Sequence, residues 1–225
     1  ALPIYHVTID RPEALRPMLE VVHDMVVATG ATRFEHQLPD EWRLDELLRS
    51  GTADWGVEVV PCDTDHFLTQ REDLATHFKG KKQHLMESFY RMMRKRHAVL
   101  LDVAGQPEGG KWNYDANNRK KLPKGHVPPQ PKLWPREVEA LMGQLDEAGV
   151  QTVGRVDPTA FGWPVTREES LELLDVFVNE LLPWFGDFQD ALTEDSWTVY
   201  HSRLSFAMNV KMLSPLEVIE AVEQK

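Results

Sequence analysis

Residues Gly109–Pro123 read Gly-Gly-Lys-Trp-Asn-Tyr-Asp-Ala-Asn-Asn-Arg-Lys-Lys-Leu-Pro, and this string divides the chain. Paired glycines let the backbone pass close to other groups, and Trp112 and Tyr114 supply rings that anchor it. Around it, Gly105, Pro107, Gly125, Pro128, Pro129 and Pro131 rule out a long helix and favour extended chain. A structureless stretch of about thirty residues, 102–134, is unusual inside a compact domain and marks a functional segment or a linker. Its aromatic residues do not suit a solvated tether, so it is expected to be an ordered interdomain crossing. Asp115 and Arg119, four apart, are expected to pair on one turn.

Upstream, residues 1–101 alternate between strand and helix. Leu2–Ile9 is strand-like, with Ile4–Ile9 rich in β-branched and aromatic residues. Pro12 stands at an expected helix start, with Leu15, Met18, Leu19, Val22, Met25 and Val26 at helical spacing and Gly30 placed to end the helix. Thr32–Leu38 is a second strand; Asp40 is the expected cap of a helix closed by Gly51; Val57–Val60 is a third strand. Strand–helix–strand order with short links implies a partial parallel sheet of Rossmann-like kind. No glycine-rich phosphate motif follows any of these strands. Residues 70–101 read as two helices. The second, about His84–Leu101, sets Leu85, Phe89, Met92 and Met93 against a basic side of Arg91, Arg94, Lys95 and Arg96.

Downstream, 135–225 is helical throughout, with periodic stretches at Pro135–Ala148, Thr166–Leu182 and Ser214–Glu223. Thr166 with Glu169, and Ser214 with Pro215 and Glu217, give helix-start signatures. The fold class is therefore α/β and then α. Trp184 and Trp197 are expected in the core. Ser202 and Ser205 lie three apart at an expected helix start, where hydroxyls and backbone N–H groups can hold an anion such as a diphosphate; two ordinary caps would read the same way.

Bulk properties narrow the class. The 225 residues carry a net charge of −11, against a general nucleic-acid coat. Yet 79–126 holds twelve Lys and Arg against four Asp and Glu, a +8 block able to meet phosphate. A solvated helix face followed by a basic loop is the plainer reading. No apolar run approaches the roughly 20 residues of a membrane span, and no signal-peptide core is evident, so a cytoplasmic protein is expected. Cys62 is the single cysteine, and the nine histidines are scattered, which leaves no metal motif. Both ends have the look of cuts in a longer protein.

His201-Ser-Arg-Leu-Ser-Phe-Ala-Met-Asn-Val-Lys-Met-Leu-Ser-Pro215 resembles a photolyase/cryptochrome motif, T-S-x-L-S-x-x-L-x-x-G-x-L-S-P, which wraps the diphosphate of FAD. Gly109–Pro123, Phe161–Arg167 and Phe185–Ala191 resemble strings of one branch, the deoxyribodipyrimidine photolyase-related proteins, which include iron–sulfur bacterial photolyases and cryptochromes. The resemblance implies an antenna-type α/β domain ending in 1–101, the interdomain linker 102–134, and the first helices of an all-α FAD domain in 135–225. It implies FAD contacts from His201, Ser202, Arg203, Leu204 and Ser205, with Phe188 where a flavin-contacting Tyr is common. It also implies a 4Fe-4S cluster and a lumazine-type antenna in the whole protein, with the cluster cysteines and the catalytic and lesion-binding residues outside this chain. Two departures stand out: Lys211 replaces the motif glycine, and Phe188 lacks the hydroxyl donor. The expected activity is light-driven repair of damaged DNA, of the (6-4) type, by a monomer. The alternatives are a cryptochrome-like photoreceptor and an α/β module that uses its basic block on nucleic acid. The 225 residues alone are expected to bind FAD weakly or not at all.

Overall fold

The computed structural model describes residues 4–225, which form two compact units, each built from two stretches of chain. The first comprises residues up to Thr64 together with Pro135–Phe161; the second comprises Asp65–Trp134 and Gly162–Lys225. The architecture is mixed α/β, with a small parallel sheet and mostly helices.

In the first unit, β1 (Arg33–Gln37) pairs in parallel with β2 (Glu58–Cys62), Phe34 facing Val59 and His36 facing Pro61. Helix α2 (Trp42–Gly51) forms the crossover. Burial alternates along β1, as one covered face requires. Pro61 is tolerated because a two-stranded sheet leaves β2 an edge. The strand expected over Ile4–Ile9 does not form: Ile4 is 91% exposed and no ladder includes it. Leu2 and Pro3 lie outside the described residues. The helix expected from Pro12 breaks into a short 3-10 turn, Pro12–Leu15, before α1 (Met18–Thr29) begins. The cause is Pro17, which forces Arg16 into extended backbone and cannot donate to the preceding turn. Gly30 closes α1 in the left-handed conformation, φ 64°. At the start of α2, Glu41 rather than Asp40 occupies the cap position, and Trp42 is exposed. Gly51 lies inside α2, where a side chain would run into Leu19 of α1. Trp55 meets His23 and Phe34, ring centroids 5.2 and 5.3 Å apart, and so joins α1 to the sheet. Helix α5 (Glu139–Glu147) completes the unit; its flanks are tied by the Arg136–Phe161 bridge.

In the second unit, α3 (Asp73–Phe78) and α4 (Met86–His97) pack through Phe78 and Phe89. Arg96 grips Asp73 through both guanidinium nitrogens, at 2.5 and 2.8 Å. Arg94, expected on the solvated side, is buried. It donates to the carbonyls of Val99, Leu100 and Trp112 and to the Tyr90 hydroxyl. These bonds hold a chain reversal in which Ala98 and Leu100 both take left-handed backbone. Gly109 also has positive φ, and a Cβ there would strike Tyr114, whose hydroxyl donates to the Gly109 carbonyl at 2.6 Å. Asp115 and Arg119 do not pair. Arg119 reaches Asp190, and Lys120 binds Asp187 at 2.7 Å, so the segment is pinned to the end of a later helix.

That later helix is compound. Helix α6 (Arg167–Val176) starts at Thr166, whose hydroxyl accepts from Glu169 N–H. It then widens into a π turn, Phe177–Leu181, and continues as α7 (Leu182–Phe188). Pro183 has no N–H to return to the turn before it, and the Leu182 N–H bonds to the Phe177 carbonyl one residue further back. After a loop come α8 (Ser205–Asn209) and α9 (Pro215–Glu223). The core consists of Leu173, Leu174, Phe177 and Val178 from the compound helix, packed with Leu204, Ala207 and Leu213. Contrary to expectation, Trp184 and Trp197 lie outside it, 49% and 67% exposed.

Helix α9 opens with a complete capping box between Ser214 and Glu217, and Arg167 clamps the same Glu217 carboxylate. The Arg167 hydrogen bonds, seconded by the Ser214 N–H, hold the Glu217 carboxyl below its ordinary range. The stabilisation is thus present above the unfolded glutamate value of about 4.3 and is lost as pH falls through the lower folded value. The partners are partly exposed, so the clamp and cap are worth about 1 kcal/mol. Glu217→Gln is expected to lower stability by that amount at neutral pH, with the difference from the parent shrinking in acid. Denaturant titrations across the acid range read it directly.

Candidate functional site

The six residues singled out for cofactor contact are drawn together at the end of α7 and the approach to α8. Phe188 is buried, 6% exposed, and stacks on Tyr200, centroids 5.7 Å apart. His201 is exposed; its Nε2 lies 2.9 Å from the Gln189 carbonyl and its ring meets the edge of Phe185. Ser202 Oγ accepts from the Leu204 N–H. Leu204 is 1% exposed and belongs to the core, whereas Ser205 opens α8 on the exposed side. The loop therefore buries Leu204 and leaves the Ser205 side outward.

Arg203 is the unusual member. Its backbone is left-handed, φ 58°. Its guanidinium sits between two indoles, 4.9 Å from the Trp163 centroid and 5.0 Å from that of Trp197. One nitrogen, Nη1, donates to the Lys132 carbonyl at 3.2 Å. The other two, Nε and Nη2, are buried without a hydrogen-bond partner. Burial holds the guanidinium below its ordinary pKa. Unsatisfied buried donors on a cation are costly, and an anion beside them would remove the cost.

At the far end of α8 the chain closes in a Schellman motif. The Met212 N–H bonds to the Ala207 carbonyl and the Lys211 N–H to that of Met208, at 2.8 and 3.1 Å. Lys211 is the left-handed residue of that motif, φ 67°, the conformation for which glycine carries no steric cost.

The basic block is largely engaged within its own unit. Arg91 pairs with Glu87, and Arg91, Arg94 and Lys95 all lie over the Trp112 ring at 5.2–5.4 Å. With Arg96 on Asp73, two of the four cations on the basic side of α4 are paired with carboxylates and the other two are held by carbonyls or the Trp112 ring. Beside it lies a cleft of about 1060 Å³ walled by Phe89, Tyr90, Met93, Trp112 and Ile219. Of its polar members, Glu87 is bonded to Arg91 and Asn113, and His97 Nε2 lies against the Leu68 carbonyl. Among the described residues no cluster of His, Cys, Asp and Glu is arranged to hold a metal.

Sequence reasoning missed His126, Trp163, Tyr200 and the role of Trp197. These rings come from three loop segments, and no periodicity links them.

A small parallel α/β unit and a mostly helical unit together define a protein of mixed α/β class. The chain belongs to the deoxyribodipyrimidine photo-lyase-related protein family, whose model matches residues 2–161. It is 32% identical over 193 residues to a (6-4) photolyase of Agrobacterium fabrum, covering 83% of this chain and 36% of that protein. It is 27% identical over 89 residues to an uncharacterized protein of Acanthamoeba polyphaga mimivirus, covering 38% of this chain and 45% of that one. The chain thus spans about a third of the photolyase it matches, and the family match ends before the His201–Pro215 segment. Among the described residues no helix is long and apolar enough to cross a membrane.

Lys211→Gly is expected to stabilise the helical unit by up to about 1 kcal/mol, the strain of a left-handed side-chain residue less the entropy cost of glycine. Lys211→Ala, which keeps the strain, is expected to give no such gain. Thermal unfolding of the two variants separates them.

Proposed function

We propose that this chain forms part of a light-driven flavoprotein that repairs (6-4) photoproducts in DNA, with reduced FAD as electron donor. One observation carries the reading: the Arg203 guanidinium has two buried nitrogens without acceptors, between Ser202 in the loop and Ser205 at the start of α8. A diphosphate beside that loop would meet both needs, charge and acceptors. His201, Ser202, Arg203, Leu204 and Ser205 would then hold the FAD diphosphate. Ser202 and Ser205 would act through hydroxyl and backbone N–H groups, Leu204 by anchoring the loop in the core, and His201 by fixing it to Gln189. Phe188 would support the loop through Tyr200 rather than donate a hydrogen bond.

When bound, FAD supplies the electron chemistry; the chain's part is to bind and orient it. The similarity to a protein named (6-4) photolyase favours repair as the activity and damaged DNA as the partner, with the lesion flipped from the duplex. The single cysteine, exposed Cys62, does not fit the four thiolates that a 4Fe-4S cluster requires. No step is assigned to a cluster or to a lumazine antenna through these residues.

In the native gene product, Ser202→Ala and Ser205→Ala are each expected to lower FAD affinity about tenfold, the loss of one hydrogen bond to a charged group. Flavin absorbance per polypeptide after gel filtration measures it; unchanged retention in both variants would sink the assignment. Illumination of the flavin-loaded protein with an oligonucleotide carrying a (6-4) lesion tests repair. Normal flavin photoreduction without repair would favour the photoreceptor reading instead.

A further inference from the structure

The helical unit holds a buried tyrosine–histidine pair to which the proposed flavin binding gives no proton or electron role. Tyr200 is 1% exposed, whereas Tyr5, Tyr90 and Tyr114 are 57%, 40% and 46% exposed. The Tyr200 hydroxyl is hydrogen-bonded to His126 Nε2, which accepts the phenolic proton in the tautomer protonated at Nδ1. Four rings assemble around that bond. Tyr200 lies 5.7 Å from Phe188 and 6.4 Å from Trp184, both at interplanar angles near 30°. His126 lies 6.0 Å from Phe188 and 6.3 Å from Trp184. Trp184 is half exposed and carries the cluster to the surface.

The chemistry of a buried phenol gives this arrangement a meaning. Removing one electron from a phenol makes its proton strongly acidic, and with no water at hand the proton needs a fixed acceptor. A neutral imidazole already hydrogen-bonded to the hydroxyl is such an acceptor, since its ring nitrogen can bind the proton in place. A phenylalanine at 188 is not readily oxidised, so it packs the pair without competing for the hole. The indole of Trp184, in contact range and reachable from outside, is oxidisable and can pass the hole inward.

We propose that Tyr200 and His126 form a proton-coupled redox pair served by Trp184. A one-electron oxidant of the photoexcited-flavin class takes an electron from Trp184, leaving an indole radical cation. Tyr200 refills it with one electron, and the O–H bond breaks as its proton passes to His126 Nε2. The products are a neutral Trp184, a neutral tyrosyl radical at Tyr200 and an imidazolium at His126. Return of one electron to Tyr200 and of the proton from His126 restores the start. Only the choice of a flavin as oxidant rests on the function proposed above; the pair's own chemistry can be read without one.

The test uses the 225-residue chain and photogenerated ruthenium(III) tris-bipyridine as the oxidant. Transient absorption and electron paramagnetic resonance are expected to show a neutral tyrosyl radical whose formation slows in D2O. Tyr200→Phe is expected to abolish the buried radical. His126→Gln keeps a hydrogen-bond acceptor but has no basic nitrogen, and is expected to abolish it too, with near-UV circular dichroism confirming the fold. Trp184→Phe is expected to slow its formation. The proposal is overturned if Tyr200→Phe leaves the radical intact, if His126→Gln forms it as fast as the parent, or if only indole radicals appear. Because no flavin takes part, these outcomes do not depend on whether Ser202 and Ser205 bind FAD.

Discussion

The segment from Tyr200 to Leu213 is governed by the burial of Leu204, Ala207 and Leu213 against α6 and the π turn that follows it. Leu204 and Ala207 are 1% and 0% exposed. A helix as short as α8 has little stability of its own, so tertiary packing must hold it. To deliver these residues from a loop on one side and to a new helix on the other, the backbone turns sharply at both ends. Those turns fall at Arg203 and Lys211, each left-handed. The strain at the two residues is a consequence of packing between them, and it places the Ser202 and Ser205 side of the loop outward.

The same packing explains why Arg203 is sandwiched and not solvated. With its backbone turned, the side chain runs into the space between Trp163 and Trp197, where face contacts offset part of the lost hydration. Two N–H groups are still left without acceptors. A folded chain ordinarily leaves few such groups, which makes this one the strongest chemical indication on the helical unit. By contrast, the cations of α4 have been spent: a carboxylate, backbone carbonyls or the Trp112 ring already meets each. A count of charges along the sequence cannot distinguish a cation that seeks phosphate from one that holds a turn. Arg94 shows the difference most clearly, because the next two cations, Lys95 and Arg96, are exposed while it is buried and closes the strained reversal at Ala98–Leu100.

Local rules made much of the fold legible. The strand-like runs Thr32–Leu38 and Val57–Val60 overlap β1 and β2, glycine marks the end of α1, and Thr166 and Ser214 mark the starts of α6 and α9. What remained hidden depends on partners distant in sequence. Ile4–Ile9 has the composition of a strand, yet a strand needs a neighbour to bond, and none pairs with it. Asp115 and Arg119 have helical spacing, but the chain there is a short 3-10 turn and Arg119 finds Asp190 instead. Trp184 and Trp197 were placed inside by hydrophobicity alone, whereas their indoles serve as covers at the surface. In the candidate site the motif located Ser202–Ser205, while the rings that shape it, from Trp163, Trp197, Tyr200 and His126, could not be assembled without the fold.

Lys211 joins these strands of reasoning. At the sequence level it is a departure from the motif, a charged residue where glycine is usual. In the structure it sits in the left-handed position of the Schellman turn that ends α8. The motif glycine is thereby given a physical cause: the turn must put Leu213 back into the core within four residues of Asn209, and only left-handed backbone does so. A lysine there costs strain without altering the path of the chain. The hydrophobic residues on either side, Ala207 and Leu213, are the buried anchors of this turn.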